Sequence, residues 1–262
     1  MELSELIMYN GKLMTVDDRT GIVFEIQRDG DEFNMAPRHI IPEGDGNHDK
    51  GMKLEWATVK DGSLLVGSMG KEYTNENGEI VNTNNLWVDF IDERGEVTRE
   101  DWTEYYTKLR DAGGAPFPGY MIHESAAWSD VLHKWVFMPR RVSSEAYDEV
   151  ADEKMGSNMI LIADEDFQKV DVKHAGEVEP THGFSSFKFL PDSGDEIAVA
   201  LKSMENEEES TQDSFITLFT LDGQVLLDET EVPGAHKFEG IEILPISVSE
   251  GSGSGDGGKL RR

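Results

Sequence analysis

SELIMYNGKLMTV, residues 4–16, carries the reading on which the fold class turns. Ser4-Glu5 is followed by the apolar run Leu6 to Tyr9, then by Asn10-Gly11, then by Lys12 to Val16. Asn-Gly supplies the positive φ angles that a tight two-residue hairpin demands, so the stretch predicts strand, turn and strand. The same grammar recurs along the chain. Glu55 to Lys60 passes through Asp61-Gly62 to Ser63–Gly67, and Ser125 to Trp128 passes through Ser129-Asp130 to Lys134–Met138. Ser185 to Leu190 passes through Pro191-Asp192-Ser193-Gly194 to Ile197–Leu201, and Phe215 to Leu221 passes through Asp222-Gly223 to Gln224–Leu227. Helix is scarce. Arg99 to Ala112 predicts one helix, with Thr98 as N-cap and Gly113-Gly114 as its stop, and Ser143 to Val150 a second, shorter one.

A slower repeat lies over these hairpins. A small polar or acidic residue opens an apolar strand at Ser4-Glu5, Glu55, Glu124, Ser185 and Glu239, at successive gaps of 50, 69, 61 and 54 residues from Glu5. A four-stranded propeller blade takes roughly 40–50 residues, and insertions lengthen it. In a propeller the innermost strand of each blade lines one central channel, so equivalent openers from distant parts of the chain meet there. On pattern alone a β-sandwich array and mixed folds stay open beside the propeller.

The chain has 262 residues, 37% hydrophobic and 9% aromatic, which is enough for a folded body with a sizeable core. It has no cysteine, which excludes disulfides, thiolate metal sites and cysteine nucleophiles. Acidic residues outnumber basic ones 53 to 24, for a net charge of −29, a field that repels nucleic-acid backbones and anionic membranes. No run approaches the roughly 18–20 apolar residues of a membrane helix, and the first residues show no basic or apolar leader pattern. Residues 251–262, GSGSGDGGKLRR, read as a flexible tail behind a body of residues 1–250.

Glu5, Glu55, Glu124 and Glu239, with Ser4 and Ser185, form an all-oxygen donor set. Ca²⁺ accepts six to eight hard oxygen ligands in flexible geometry, whereas Zn²⁺ prefers His or Cys and no HExxH is present. Several carboxylates crowded into one tunnel repel each other, and a divalent cation relieves that. Asp45 to Asp49, DGNHD, resembles the opening of an EF-hand loop, but Lys50 stands where Gly is needed and Trp56 where the bidentate Glu is needed. Arg140-Arg141 after Pro139 and Lys188 in HGFSSFKF suit phosphate oxygens, since guanidinium matches them bidentately. Lys53, Lys71 and Lys202 lie near other strand ends. No Walker loop or GxSxG occurs, and no GxGxxG within residues 1–250, so phosphate binding has to rest on side chains and metal. Trp56, Trp87, Trp128 and Trp135 read either as core or as stacking platforms for a base.

Several stretches resemble the calcium-activated nucleotidase (apyrase) family: KLEW (53–56), GKEYT (70–74), PGYMIHESAAWSD (118–130), PRR (139–141), PTHGFSSFKF (180–189), ALKS (200–203) and FEGIE (238–242) among them. The resemblance runs in family order from residue 1 to about 244. It implies a five-bladed β-propeller, Ca²⁺ in the tunnel held by Ser4, Glu5, Glu55, Glu124, Ser185 and Glu239, and hydrolysis of nucleoside diphosphates and triphosphates with release of phosphate. It also implies a substrate region at Arg140, with Arg141 and Lys188 placed beside it, and a place outside the cell or in the secretory (ER/Golgi) lumen; for metal-assisted attack of water, Glu124 is the candidate to orient the water and Arg140 to stabilise the transferred phosphoryl group. Family members begin about one blade earlier, so the N-terminal blade is expected to be incomplete. A non-catalytic propeller that binds another protein is the alternative, a homodimer is left open, and a two-carboxylate sugar hydrolase ranks third because HGFSSFKF matches nucleotidases.

Overall fold

Eighteen short strands, sixteen of them in four sheets and two in a separate hairpin, with little helix, make up the described residues 2–75, 79–206 and 210–244 in a computed structural model. Strands β1 (Leu3–Tyr9), β2 (Lys12–Asp17), β3 (Ile22–Asp29) and β4 (Glu32–Ile40) form the first sheet in sequence order. Asn10 and Gly11 have φ of 49° and 72°, the left-handed pair that the hairpin reading required. The second sheet joins β5 (Trp56–Lys60) and β6 (Ser63–Gly67), then, past a small hairpin of β7 (Tyr73–Thr74) and β8 (Ile80–Asn82), β9 (Trp87–Ile91) and β10 (Val97–Asp101). The third holds β11 (Tyr120–Ser129), β12 (Lys134–Ser143), β13 (Met159–Ala163) and β14 (Val170–His174). The fourth holds β15 (Gly183–Phe189), β16 (Ile197–Asn206), β17 (Thr211–Thr220) and β18 (Val225–Val232).

The first strands of the sheets are each other's neighbours. β5 packs against β1 and β11, and β11 packs against β15, as the inner strands of propeller blades do. Apolar clusters fill the spaces between successive sheets. Val16, Ile41, Leu54 and Val66 lie between the first and second, and Phe184, Phe187, Val136 and Ile160 between the third and fourth. Between the second and third, Trp102 is the hub, with ring centroids 5.1 Å from Trp135, 5.6 Å from Phe167 and 5.9 Å from Trp56. Edge-to-face and offset ring pairs of this kind add to the area they bury.

Two expectations are corrected here. Among the described residues the blades number four, not five, and β1 opens a complete four-stranded sheet rather than an incomplete one. After β18 the described chain runs to residue 244 without joining a ladder. It is tied instead by single bonds: Glu239 O accepts from Glu5 N (2.9 Å), Phe238 O from Ser185 Oγ (3.1 Å), and Ile241 N donates to Ser186 Oγ (3.2 Å). With the Glu5 main chain on one side and the Ser185 and Ser186 hydroxyls on the other taking its polar groups, the segment lies in the seam between the first and fourth sheets without a sheet of its own.

The helices are shorter than the sequence predicts. Val97 to Asp101 pair with Ile91 to Trp87 as an edge strand, so α1 covers only Thr103–Ala112, and Asp101 Oδ1, not Thr98, accepts from Thr103 N at its start (2.9 Å). Ser143 ends β12 by pairing with Tyr120, and α2 is the single turn Glu149–Asp152, capped by Asp148 Oδ1 on Ala151 N (2.9 Å). The Gly113-Gly114 stop stands where expected. The reading of residues 251–262 as a tail falls outside the described residues, as do residues 245–250.

Candidate active site

Irregular pairing, not regular strand, aims the repeat residues inward. Strand register shifts between Ser4 and Leu6, around His123 to Ala126, and between Phe184 and Ser186. Glu5, Glu124 and Ser185 sit in those shifts, and Glu5 takes a φ of 57° that a non-glycine residue seldom adopts. A bulge leaves one residue unpaired and turns its side chain away from the alternation of the strand. Glu55 reaches a similar place from just before β5, its N–H donating to Gly67 O at 2.8 Å, and Glu239 does so from the unpaired segment. The repeat therefore places Glu5, Glu124 and Ser185 at corresponding shifts of inner strands, with Glu55 just ahead of one and Glu239 outside any strand.

Each of the four carboxylates meets a cation of its own. Glu5 Oε1 accepts from Lys188 Nζ (2.8 Å), Ser186 Oγ (2.7 Å) and Leu6 N (2.9 Å). Glu55 is bound by Lys53, which also reaches Asp18 Oδ2 at 3.1 Å. Glu124 Oε2 accepts from Arg140 Nη1 at 2.8 Å. Glu239 Oε1 lies 2.6 Å from Lys237 Nζ, and its other oxygen accepts from Ser4 Oγ at 3.3 Å. Arg140 also donates to Ser203 Oγ (2.7 Å) and to Glu205 Oε2 (3.4 Å), and Lys237 lies 2.9 Å from the same Glu205 oxygen. Glu124, Glu205, Glu239, Arg140 and Lys237 thus form one network.

Burial and mutual repulsion shape its charge. Desolvation, with the Glu124 and Asp18 carboxylates nearby, pushes the Glu55 carboxyl up to about 8 although Lys53 opposes it. Burial raises Glu5, and burial with the neighbouring Glu124 raises Glu239. Burial acts against ionisation of Glu124 as well, but Arg140, Lys237 and Lys53 outweigh it and hold its carboxyl below the usual range. Among the described residues no three His, Asp or Glu side chains converge closely enough to hold a metal ion. The donor set is nonetheless that of a hard cation: buried and half-buried carboxylates with buried hydroxyls, three of the four carboxyls held above their usual range.

The remaining sequence candidates find definite places. Arg141 is buried beside Arg140, its Nε 3.8 Å from Asp152 Oδ2 and its Nη1 on Thr181 O at 3.5 Å. Asp152 in turn accepts from Tyr120 OH at 2.6 Å. Gly183 admits both arginines, since a Cβ there would stand 2.4 Å from Arg140 Cγ and 2.9 Å from Arg141 Nη1. Lys188 belongs to Glu5 rather than to the arginine pair. Trp56, Trp128 and Trp135 are buried in the core, which removes them as base platforms, and Trp87 is half-buried. The Asp45 loop is closed on itself: Asp45 Oδ1 accepts from Asn47 N (3.0 Å), and the Arg99 guanidinium lies against Gly46.

Lys237 and Glu205 were not among the sequence candidates. A signal for the first exists, because Lys53-Leu54-Glu55 and Lys237-Phe238-Glu239 share one Lys-x-Glu spacing. His123 and Ser125, on either side of Glu124, are fully buried, and neither His123 ring nitrogen nor Ser125 Oγ has a partner in the described structure.

The profile of the Apyrase family matches residues 1–244. Soluble calcium-activated nucleotidase 1 of Rattus norvegicus is 49% identical over 244 residues, which cover 93% of this chain and 59% of the rat protein. An apyrase of Cimex lectularius is 45% identical over 245 residues, 93% of this chain and 65% of that protein. Apyrase apy-1 of Caenorhabditis elegans is 40% identical over 242 residues, 92% of this chain and 67% of that protein. The chain thus spans about three fifths to two thirds of the length of these curated relatives.

Proposed function

The chain belongs to the Apyrase family, and from that premise we propose that it hydrolyses nucleoside diphosphates, and triphosphates, with release of inorganic phosphate and with the help of Ca²⁺. The observation that carries the reading is the largely buried axial network, in which carboxylates from the first three inner strands or their starts and from the segment after β18 meet lysines and arginines able to take phosphate oxygens. The names of the rat and mouse relatives say calcium-activated, and the oxygen donors of Ser4, Glu5, Glu55, Glu124, Ser185 and Glu239 suit that ion. When bound, Ca²⁺ supplies a Lewis acid for phosphoryl oxygens and offsets the crowded carboxylates.

The chain's own groups divide the remaining work. Arg140 binds the terminal phosphoryl group and offsets the charge that grows on its equatorial oxygens. Arg141, held by Asp152, keeps positive charge behind it. Ser203 fixes the Arg140 guanidinium, so little reorganisation remains to be done during the reaction. Glu124 engages Arg140 through Oε2, and its Oε1 accepts a proton of the attacking water. The water oxygen bonds to the terminal phosphorus as the bridging P–O bond breaks. The shorter nucleotide and phosphate leave, and the water's proton passes to Glu124.

The test is phosphate release from GDP, UDP and ADP by the purified chain in Ca²⁺ and in EDTA. Release that needs Ca²⁺ and falls at least 100-fold in Glu124→Gln and in Arg140→Ala is expected, within the range such groups contribute. A folded protein silent toward all three nucleotides in Ca²⁺ overturns the reading.

A further inference from the structure

The β7–β8 hairpin and the turn of α2 stand outside the four sheets, and they face each other across a cleft of about 760 Å³. Tyr73 and Thr74 line it from the hairpin, and Tyr147, Asp148 and Glu149 line it from the segment entering α2. That volume lies within the range of small-ligand sites, which run to roughly 300–1,000 Å³. Two aromatic rings with hydroxyl and carboxylate groups between them suit a flat heterocycle that bears N–H donors.

One of the rings is fixed from behind. Lys71, only 6% exposed, places Nζ 4.0 Å from the centroid of Tyr147 and donates to Glu72 O at 3.0 Å. Tyr120 meets the same ring in a T-shaped contact, with centroids 5.3 Å apart at 75°. Tyr120 OH donates to Asp152, and Asp152 holds Arg141, the neighbour of Arg140. The aromatic wall of the cleft and the arginine pair are therefore parts of one packed series. Tyr73, 53% exposed, faces the cleft from the other side.

We propose that this cleft receives the nucleobase of the substrate, stacked on Tyr147 and covered by Tyr73, while the phosphates lie at Arg140 and Arg141. The inference rests on the hydrolase reading above and adds to it the groups that recognise the nucleoside. Base–aromatic stacking tolerates every base because each has a π-face, so the two tyrosines set affinity, and Thr74, Asp148 and Glu149 set the preference among bases.

Inorganic tripolyphosphate carries phosphates without a base and separates the two ends. The ratio of KM for a nucleoside diphosphate to KM for tripolyphosphate is expected to rise tenfold or more in Tyr147→Ala and severalfold in Tyr73→Ala, and to change little in Tyr147→Phe, which keeps the ring. Saturation-transfer NMR of UMP in EDTA gives a readout independent of turnover: transfer to the uracil protons is expected in the wild type and is lost in Tyr73→Ala. Where Tyr147→Ala fails to fold, Tyr73→Ala decides, since its side chain is half exposed. An unchanged ratio together with unchanged transfer in Tyr73→Ala overturns the proposal. Hydrolysis of diphosphate and tripolyphosphate with equal KM leaves the hydrolase and removes the base site. Loss of transfer in Tyr73→Ala with no hydrolysis of either compound leaves the base site and removes the hydrolase.

Discussion

Replacing Arg140 by Met keeps most of the side-chain volume and removes the charge that holds the axial network together. The Arg140 side chain is 5% exposed, and it pairs with Glu124 (14% exposed) and Glu205 (43% exposed). The Glu205 contact is solvated and contributes little, at most about 1 kcal/mol. The Glu124 contact is buried, and removing one partner of such a pair leaves an uncompensated charge at a cost of roughly 3–5 kcal/mol. Lys237 and Lys53 also act on Glu124, which places the expected cost toward the lower end, about 3 kcal/mol. At roughly 2–4 °C per kcal/mol for a chain of this size, the melting temperature falls by roughly 10 °C. Arg140→Met with Glu124→Gln removes the stranded charge, so the double variant should regain most of the loss, with a coupling energy of about 2 kcal/mol. Urea unfolding followed by tryptophan fluorescence of the four proteins closes the cycle. A cost below about 1 kcal/mol for Arg140→Met, or additive effects of the two substitutions, would refute the view that Glu124 depends on Arg140.

Gly183→Ala places a Cβ 2.4 Å from Arg140 Cγ and 2.6 Å from Arg140 O, a clash that backbone on one side makes hard to relieve; a loss of about 1–3 kcal/mol in urea unfolding is expected, with weaker phosphate binding, and wild-type values for both count against the placement of Arg140. Asp89 is fully buried, with Arg99 Nε 3.1 Å away, and burial pushes its carboxyl up to about 6 with Arg99 opposing. Because the folded value lies above the unfolded one, near 3.9, Asp89 favours the folded state below about pH 4 and loses that contribution as pH rises through about 6. Asp89→Asn should therefore melt close to wild type at pH 4 and above it at pH 7.5, and an equal difference at both pH values argues against the assignment. Ca²⁺ in hundredfold excess over its Kd should stabilise the chain by about 2.7 kcal/mol relative to EDTA; Glu55→Gln should shrink that thermal shift, and an identical shift in the variant removes Glu55 from the ion's ligands.

The hairpins were legible because Asn10-Gly11 and Asp61-Gly62 are local signals, and each turn depends only on its own two residues. The repeat openers were legible as candidates because a propeller repeats its inner strands, although among the described residues no three acidic side chains converge on one point. Bulges were not legible, since a register shift at Glu5 or Glu124 depends on the partner strand as much as on the strand itself. The start of α1 was misplaced for a related reason: Arg99 to Asp101 continue a helical pattern in sequence, but the open edge of β9 takes them into a ladder first. The blade count failed where the repeat signal marked an opener, Glu239, without marking whether a strand had partners to pair with. Trp102 shows a different limit. Nothing near it in sequence sets it apart from the other tryptophans, yet sheets two and three and α1 converge on its ring.

How a chain with a net charge of −29 would take up the anion of the proposed reaction follows from where its charges sit. At physiological ionic strength the screening length is about 8 Å, so most surface carboxylates act weakly at the axis and the local balance decides. That balance is close: Lys53, Arg140, Arg141, Lys188 and Lys237 stand among Glu5, Glu55, Glu124, Asp152, Glu205 and Glu239. Every one of these cations already has a carboxylate, so a phosphate gains a cation only by displacing one. The displacement is easiest at Glu205, the most solvated of the six, whose contact with Arg140 Nη2 is 3.4 Å against 2.8 Å for Glu124 on Nη1. Arg140 can therefore keep Nη1 on Glu124 and Ser203 and turn Nη2 from Glu205 to an incoming phosphoryl oxygen, without leaving a buried charge unpaired at any stage.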